Sequence, residues 1–393
     1  MTGRVLITGA GMVTAAGVGV EANLRTLMDG EGAAFAPARY LHTSLTIPVA
    51  EVPLDNNELT ARCGLHPSEA HSRTYLLALL AAQEALDSAH ISSAQAGKLG
   101  LVAATTGAGI EVIEACYDTL DQHLAAIPNF SSSNLTDSLA RYFGITHPVT
   151  TISTACSSSA NALQVAARLI RHGRASRLLV GGMDGLSRFS LNGFNSIEIV
   201  SPTGCRPFDA SHNGVTLGEG AAFLVLESEQ AAQERGAEVW GELSGYANRN
   251  EAYHPTSSRP DGAGAAETIR AALAQAGMQP DGVDCINAHG TGTVVNDQSE
   301  GNAIVSTLGS GVPVTSTKGF TGHTLAACGA VEAIYSLLSI RHGVIFGNNR
   351  VLQPMPEVSL SLPLHTYTAS VSTVLSNSFG FGGSNTVLIF AKA

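Results

Sequence analysis

The sequence predicts an α/β protein in which sheets lie between layers of helices. Apolar runs rich in β-branched residues alternate along the 393 residues with stretches rich in alanine and leucine, an alternation typical of this class. The runs are continuously apolar, so both faces of their strands should be covered by helices. The predicted strands are residues 5–8, 99–103, 178–180, 221–226, 283–288 and 387–391.

Two segments of the chain resemble each other. One begins at Cys156 and the other at His323, and each is a polar turn that opens a helix of small residues. Both helices end in Arg-His-Gly, at 171–173 and 341–343, and an apolar strand precedes each segment. The repeated order of parts predicts a duplicated architecture. We place the halves at residues 1–240 and 241–393, and we predict a surface loop over 249–264.

Composition narrows the function classes. The formal charge of -11 argues against unspecific nucleic-acid binding, which needs a cationic surface. No apolar run approaches the roughly 18 residues of a membrane span, and the N-terminus lacks the pattern of a signal peptide. The six cysteines form no CxxC pair, so neither a zinc site nor a disulfide framework is indicated. We therefore expect a cytoplasmic protein with reduced thiols.

Cys156 is the candidate nucleophile. It follows an apolar stretch and precedes a helical pattern over 160–172, which predicts a strand-to-helix elbow. The unpaired N–H groups and the dipole at a helix start stabilise a thiolate, so we expect a lowered thiol pKa. The same N–H groups can hold an oxyanion. For any single cysteine, a small buried and inert thiol is the alternative.

Two histidines lie in similar glycine-rich surroundings. His289 follows the predicted strand 283–288, and His323 stands at the entrance of the second small-residue helix. In α/β proteins the ends of strands gather ligands. A thiol beside an imidazole indicates covalent catalysis. Two imidazoles suit the donation of two N–H bonds to an oxygen that becomes anionic, such as the enolate that forms when a malonyl thioester loses CO2. For either histidine alone, an ordinary core or surface residue is the alternative.

A glycine-rich turn, residues 377–385, precedes the last strand. Its backbone is predicted to offer an N–H group to an oxyanion, and Phe381 is predicted to act as a mobile plug. Because glycine-rich turns are common, a plain tight turn is the alternative.

Eight motifs give the sequence a specific resemblance to a known family. They are VLITGAGMVT (5–14), TACS (154–157), CRPFD (205–209), GEGA (218–221), HGTGT (289–293), STKGFTGH (316–323), GAVE (329–332) and NSFGFGGSN (377–385). Over nearly its whole length the chain resembles the elongating β-ketoacyl-acyl-carrier-protein synthases of the thiolase superfamily.

The resemblance implies a thiolase-like five-layer αβαβα fold with two similar halves. It also implies decarboxylative condensation of an acyl chain with a malonyl unit, both carried on the phosphopantetheine of an acyl carrier protein, with no further cofactor and no metal. The expected assembly is a homodimer, or a heterodimer with a related ketosynthase or chain-length-factor subunit.

The resemblance also assigns roles to residues. Cys156 would be acylated, while His289 and His323 would bind the malonyl thioester and promote its decarboxylation. Lys318 and Glu332 would form a supporting charge pair, and Lys318 would help to keep His323 neutral. The remaining implied residues are Phe381, whose N–H would form the oxyanion hole with that of Cys156, Thr291 and Thr293 for the pantetheine arm, and Phe379, Gly380 and Gly382 for substrate binding.

Residues 106–134 depart from the fatty-acid synthase pattern and the chain is short for that group, which favours a specialised member that makes a polyketide or polyene chain. A non-catalytic subunit resembling a chain-length factor is one alternative, although such subunits usually lack the nucleophile. A biosynthetic thiolase or a starter synthase is another. A nicotinamide dehydrogenase would suit Gly9 and Gly11, but Thr14 replaces the third glycine of its fingerprint.

An acidic carrier protein would need a cationic patch on this acidic chain. The sequence candidates for such a patch are Arg62, Arg73, Arg168, Arg171, Arg174 and Arg177.

Overall fold

The computed structural model describes residues 3–32, 34–66, 71–146 and 148–393. Its strands are β1 (Val5–Thr14), β2 (Gly17–Val18), β3 (Ala36–Pro37), β4 (Pro48–Val49), β5 (Gly100–Ala104), β6 (Val149–Ile152), β7 (Arg177–Asp184), β8 (Gly220–Ser228), β9 (Gly241–Asn250), β10 (Cys285–Asn287), β11 (Val314–Thr315), β12 (Val344–Ile345), β13 (Tyr367–Thr368), β14 (Thr373–Gly380) and β15 (Ser384–Ala391).

The α-helices alternate with these strands. They are α1 (Val20–Asp29), α2 (Asn56–Arg62), α3 (Arg73–Ser88), α4 (Ser93–Ala96), α5 (Ile110–Ala115), α6 (Ser132–Phe143), α7 (Ser158–Arg171), α8 (Arg188–Ser196), α9 (Glu229–Glu234), α10 (Ala263–Ala276), α11 (Val294–Leu308), α12 (Lys318–Thr321) and α13 (Cys328–His342). Short 3-10 helices cover Tyr117–Gln122, Leu124–Phe130, Pro280–Gly282, Leu325–Ala327 and Phe381–Gly383.

Ten of the strands form two sets with the same topology. The first set runs β6-β5-β7-β8-β1 and the second runs β11-β10-β14-β15-β9, so each set has the order 3-2-4-5-1 when its strands are counted along the chain. The pairings that join β5 to β6 and β7, and β10 to β11 and β14, are parallel, while the others are antiparallel. The duplicated architecture predicted from the sequence is therefore confirmed.

Helices cover both faces of each set of strands. Helices α7 and α13 pack against each other and lie between the sets, with α7 on β5, β7 and β15 and α13 on β8 and β14. On the outer faces, α3 covers β1, β7 and β8, and α10 covers β9 and β15. The result is the predicted five-layer order of helix, sheet, helix, sheet and helix. Along one edge the two sets join, where Leu6 and Ile7 of β1 pair with Glu242 and Gly241 of β9.

Strand β1 is buried along all ten residues, and its glycines serve packing. A Cβ atom on Gly9 would lie 2.4 Å from the carbonyl oxygen of Ala85, and one on Gly11 would lie 2.2 Å from that of Ala81. Both contacts are with the backbone of α3, so glycine allows the helix to approach the strand. Because the two glycines lie inside a strand and not at a turn before a helix, the dehydrogenase alternative does not fit.

Two local predictions are corrected by the pairing of distant strands. The predicted loop 249–264 is shorter, since Arg249 and Asn250 pair with Asn385 and Ser384 and so belong to β9, and α10 begins at Ala263. The glycine-rich turn is also shorter, because residues 377–380 and 384–385 form the hairpin between β14 and β15. In the described part of the chain, no helix has the length and apolar character needed to cross a membrane.

Candidate active site

Cys156 lies at a sharp elbow between β6 and α7. Ala155 adopts a φ of 52°, a conformation uncommon for a residue with a side chain, and α7 begins two residues after the cysteine. The hydroxyl of Ser158 accepts a hydrogen bond from the backbone N–H of Thr154 at 2.8 Å and donates one to the carbonyl of Ala155 at 2.6 Å. The predicted strand-to-helix elbow is thus present.

The thiol of Cys156 has a different acidity from the one expected. Its residue is only 6% exposed, and burial raises the thiol pKa to about 11, although the backbone N–H of Phe381 and the charge of Lys318 lower it. The expectation of a lowered pKa, drawn from the helix start alone, is therefore wrong. The two N–H groups that act on the sulphur are those of Phe381 and Cys156 itself, the pair expected at the oxyanion hole.

Gly380 allows the glycine-rich turn to approach this elbow. A Cβ atom at this position would lie 3.1 Å from the carbonyl oxygen of Thr154 and 3.3 Å from the backbone nitrogen of Cys156. A side chain here would crowd the backbone of Cys156. The turn therefore stays close enough for the N–H of Phe381 to reach the sulphur.

His289 is held by a buried carboxylate that the sequence did not single out. Glu300, in α11, accepts hydrogen bonds from the backbone N–H groups of His289 at 2.8 Å and Gly290 at 2.7 Å, and from the side chain of Asn377 at 2.9 Å. One helix turn earlier, Asp297 accepts a bond from the N–H of Gly292 at 3.2 Å. The two carboxylates fix the loop between β10 and α11.

His323 is held in place by backbone hydrogen bonds. Its backbone N–H donates to the carbonyl of Thr216 at 2.7 Å, and its Nδ1 accepts a hydrogen bond from the backbone N–H of Leu325 at 3.0 Å. Because Nδ1 is an acceptor, the neutral ring carries its proton on Nε2. The side chain is therefore fixed as an N–H donor.

Lys318 and Glu332 form the predicted charge pair behind the histidines. The ammonium group of Lys318 bonds the Glu332 carboxylate, the carbonyl oxygen of His289 at 2.5 Å and the Nδ1 atom of His289 at 3.3 Å. Burial alone would lower the pKa of Lys318, but the Glu332 carboxylate raises it, so the lysine stays cationic. An ammonium group cannot accept a hydrogen bond, so the proton of the neutral His289 ring also lies on Nε2.

Both imidazoles are neutral at physiological pH. Burial and the charge of Lys318 hold the pKa of His289 and His323 well below the usual value. The rings meet edge to face with centroids 5.4 Å apart, and the ligand atoms of both lie within 4.8 Å of one another and of the Cys156 sulphur. A zinc ion would suit this spacing, but it needs ring lone pairs. Since the accepted hydrogen bonds place both protons on Nε2, the residues do not fit a resident metal.

The site opens into a cavity of about 350 Å³. Four of the predicted substrate residues line it, namely Thr291, Thr293, Phe379 and Gly380. Gly382 does not: it is exposed, and its N–H donates to the carbonyl of Pro255 at 2.7 Å. Phe381 lines the cavity and stacks on the ring of Phe194 in α8, with centroids 5.5 Å apart and planes at 19°.

Several residues of the site were missed in the sequence. Asp297 and Glu300 lie on a helix, where carboxylates usually face solvent, and only their spacing of three hints that both face the preceding loop. Phe194 offers no local signal, because its partner is nearly 190 residues away. Cys328 also offers no local signal. Its thiol donates to the carbonyl of Cys156 at 3.0 Å, across the contact between α13 and α7.

The arginines expected to bind a carrier protein mostly have other partners. Arg73 is 8% exposed and paired with the buried Glu219, so it is a structural cation. Arg177 binds the buried Glu227, and Arg171 donates to the carbonyl of Ser244 at 3.0 Å. The exposed Arg62, Arg168 and Arg174 do not line the cavity. Arg168 lies in the last turn of α7 and Arg174 follows that helix, so both are at the end away from Cys156. The predicted cluster is therefore not a patch beside the site.

The chain is similar to proteins of known family over its full length. Models described as "Beta-ketoacyl synthase, N-terminal domain" and "Beta-ketoacyl synthase, C-terminal domain" match residues 2–232 and 240–351. The chain is 31% identical over 407 residues to 3-oxoacyl-[acyl-carrier-protein] synthase 2 of Staphylococcus aureus, with 99% of this chain and 98% of the relative covered.

Two solved structures extend this similarity to three dimensions. The ishigamide ketosynthase/chain length factor matches with a TM-score of 0.93 at 30% identity, and all of both chains is covered. The ketosynthase complex AntDE:AntF, in which a type II PKS acyl-carrier protein is bound to its ketosynthase with the hexaketide, matches with a TM-score of 0.89 at 28% identity, again over all of both chains. The protein belongs to the β-ketoacyl synthase family of condensing acyltransferases.

Proposed function

We propose that this protein extends an acyl chain by decarboxylative Claisen condensation with a malonyl unit, and that Cys156, His289 and His323 perform the chemistry. One observation carries the proposal: a buried thiol lies within 4.8 Å of two neutral imidazoles whose N–H groups are fixed as donors. Such donors serve a reaction in which negative charge develops on oxygen.

The first step is transfer of the acyl group to Cys156. The sulphur forms a bond to the thioester carbonyl, and the oxygen that becomes anionic accepts hydrogen bonds from the N–H groups of Cys156 and Phe381. Collapse breaks the bond to the carrier thiol, which leaves with the proton that the cysteine loses. Because burial raises the pKa of Cys156 to about 11, the resting group is the thiol, and proton loss accompanies attack.

The second step is decarboxylation of the malonyl thioester. The carboxylate leaves as CO2, its bonding electrons form the enolate, and the enolate oxygen accepts hydrogen bonds from the Nε2 atoms of His289 and His323. The rings act in this role as neutral donors, because a cationic imidazole beside Lys318 would be strongly disfavoured. The low pKa of both rings supports this assignment.

Condensation completes the cycle. The enolate carbon bonds to the acyl carbonyl on Cys156, the oxyanion again lies at the backbone N–H pair, and the carbon–sulphur bond breaks. The thiolate takes up one proton and returns to the resting state. Lys318 and Glu332 act as positioning residues, since the ammonium group holds the His289 ring and the carboxylate holds the ammonium group.

The substrates and the assembly follow from similarity. The chain resembles a ketosynthase that binds an acyl-carrier protein and another described with its chain length factor, which supports thioesters on a carrier and a dimer with itself or with a related subunit. The Staphylococcus aureus relative supports fatty-acid synthesis at comparable identity. We assign the product class as a fatty-acid or polyketide chain.

The Cys156→Ala variant tests the division of roles. With a labelled acyl carrier, intact mass should show an acyl adduct on the wild type and none on the variant, while the variant should still release CO2 from malonyl carrier. An undiminished adduct on the variant would overturn the assignment of the nucleophile. A wild type that neither acquires an acyl group nor releases CO2 would instead favour the non-catalytic subunit.

A further inference from the structure

His212 is a buried histidine to which the proposed chemistry gives no role. It lies in the loop between α8 and β8, directly before Asn213, Gly214 and Val215, which line the catalytic cavity. The residue is only 8% exposed, and its Nδ1 atom lies 3.0 Å from a carboxylate oxygen of Asp297 in α11. The first residues of α11 line the cavity as well. His212 therefore joins two segments that meet at the cavity wall.

Asp297 is a fully buried carboxylate that holds two loops by their backbones. The oxygen that faces His212 also accepts a hydrogen bond from the N–H of Phe208 at 2.8 Å, and the other oxygen accepts one from the N–H of Gly292 at 3.2 Å. Gly292 stands between the two threonines expected to contact the pantetheine arm. A buried carboxylate needs hydrogen bonds and a compensating positive charge. The charge of His212 therefore bears on how firmly this loop is held.

The loop at Gly292 packs tightly against the segment that contains His212. Its carbonyl accepts a hydrogen bond from the N–H of Gly214 at 2.9 Å, and its φ is 82°. A Cβ atom on Gly292 would lie 2.9 Å from the carbonyl oxygen of Gly214 and 3.0 Å from the backbone nitrogen of Arg206. Because the backbones are in close contact, a displacement of Asp297 would move both segments.

Three carboxylates act on the ring of His212. The hydrogen bond with Asp297 has the largest influence, burial opposes it, and the charges of Asp297, Glu357 and Asp209 add to it, so the pKa of His212 is raised. Asp209 lies in the same loop, and Glu357 is an exposed residue of the segment between β12 and β13. The ring is cationic in weakly acidic solution and becomes neutral as the pH rises through the raised pKa.

We propose that His212 is a positioning residue whose protonated ring holds Asp297 and, through it, the loop that binds the pantetheine arm. This role rests on the proposed function, which brings that arm to Thr291 and Thr293. When the ring is cationic, the ion pair fixes the carboxylate that binds the N–H of Gly292. When the ring is neutral, the carboxylate loses that countercharge and the loop is held less firmly. Protonation and pantetheine binding are then linked, and each favours the other by the same factor.

The amide analogue of acetyl pantetheine measures this linkage in the absence of chemistry. Nitrogen replaces the thioester sulphur in this compound, so it does not acylate Cys156, and its Kd from calorimetry reports binding alone. In the wild type we expect Kd to rise about fivefold between pH 6 and pH 9. The pKa of His212, followed by NMR, should rise on binding by the logarithm of the same ratio. A Kd that stays within about twofold over this range would overturn the proposal.

Two variants separate the charge of His212 from its hydrogen bond. His212→Asn keeps an N–H donor near the position of Nδ1 but is neutral at every pH, so its Kd should be about fivefold weaker than that of the wild type at pH 6 and equal to it at pH 9. His212→Arg is cationic at every pH and should bind at pH 9 as the wild type does at pH 6.

His172→Asn is the matched control, because His172 is exposed and lies outside the cavity lining. This variant should keep the pH dependence of the wild type. A pH dependence that survived in His212→Asn would contradict the proposal, since another group would then be responsible for it.

Turnover separates the role of His212 from the proposed function. If the wild type elongates an acyl thioester but binds the amide equally well at every pH, only the role of His212 is wrong. If Kd follows pH as expected, while the wild type neither acquires an acyl group on Cys156 nor releases CO2 from malonyl pantetheine, only the proposed function is wrong.

Discussion

The two halves of the molecule share one topology and carry different chemistry. In the first half the proposed nucleophile Cys156 lies just before the start of α7, while in the second half the start of α13 follows His323. The end of β10 leads to His289, but the equivalent strand β5 leads to Thr105 and Thr106, which bind Asp184. Duplication thus brings two helix starts together, and divergence gives them a thiol and an imidazole.

Asp184 ends β7, the strand of the first half that is equivalent to β14 of the second half. At the end of β7 it accepts hydrogen bonds from the hydroxyl of Thr105 at 2.7 Å and the N–H of Gly107 at 3.0 Å. It also accepts one at 2.9 Å from the N–H of Ala326, which lies between His323 and α13. The equivalent strand, β14, ends at Gly380 beside Cys156. One strand end therefore ties the halves together, and the other completes the site.

The largest expected effect is that variants in the two halves of the molecule impair different partial reactions, acylation in the first half and malonyl decarboxylation in the second. His289→Ala and His323→Ala should each lower malonyl decarboxylation about 10²- to 10³-fold, as expected for loss of one preorganised donor to an oxyanion. Acylation of Cys156, measured by intact mass, should persist, because its elbow lies in the other half. Cys156→Ala is the matched control and should show the opposite pattern. If either histidine variant lost acylation as completely as decarboxylation, the division between halves would be wrong.

A pH profile of alkylation tests the pKa of the Cys156 thiol, which lies in the first half. The thiolate reacts with iodoacetamide and the thiol does not, so with a pKa of about 11 the rate at Cys156 should rise about tenfold per pH unit from pH 7 to 9. Peptide mass mapping measures this rate at the single site. Glutathione, followed in parallel, should begin to level off near the ordinary cysteine pKa of about 8.5. A Cys156 rate already level at pH 8 would mean that the helix start outweighs burial.

The smallest expected effect is on the free energy of unfolding, at the Arg-His-Gly sequences near the ends of α7 and α13. Arg171 lies 5.0 Å above the ring of Tyr246 and bonds two carbonyl groups of β9, while Arg341 lies 4.5 Å above Trp240 and binds the exposed Glu238. Arg171→Ala should lower the free energy of unfolding by about 1–2 kcal/mol, and Arg341→Ala by about 0.5–1 kcal/mol.

Urea denaturation measures both values, with the corresponding Arg→Lys variants as controls that keep the charge. If Arg341→Ala cost more than Arg171→Ala, the carbonyl bonds of Arg171 would add little. The two helix ends would then be equivalent in energy as well as in sequence.

Local sequence carried much of the fold and the central site. Strand ends, helix starts and glycine-rich motifs lie within a few residues of Cys156, His289 and His323, so these three could be selected and are found together. The charge pair of Lys318 and Glu332 was expected from motifs and is present. A structural feature that depends only on a short segment can be predicted from the sequence of that segment.

The burial of individual side chains could not be predicted from short segments of the sequence. The pKa of Cys156 is set by burial and by groups of the other half, which are the N–H of Phe381 and the charges of Lys318 and Glu332. The pairing of Arg73 with Glu219 joins positions 146 residues apart. Glu300 is buried against the loop that follows β10 and against Asn377 of β14, which is 77 residues away. Predictions failed where a property depends on which distant elements cover a residue.

The fixed tautomers of His289 and His323 have a consequence for small molecules. With both Nδ1 atoms occupied as acceptors, the two rings present only donors to a ligand beside the thiol. A compound with a carbonyl or amide oxygen at that point satisfies both rings at once, while a hydroxyl or amine that donates there leaves them unpaired. A reversible inhibitor of this site should therefore carry an acceptor oxygen between the rings. It should need no group that reacts with the Cys156 thiol in order to be selective.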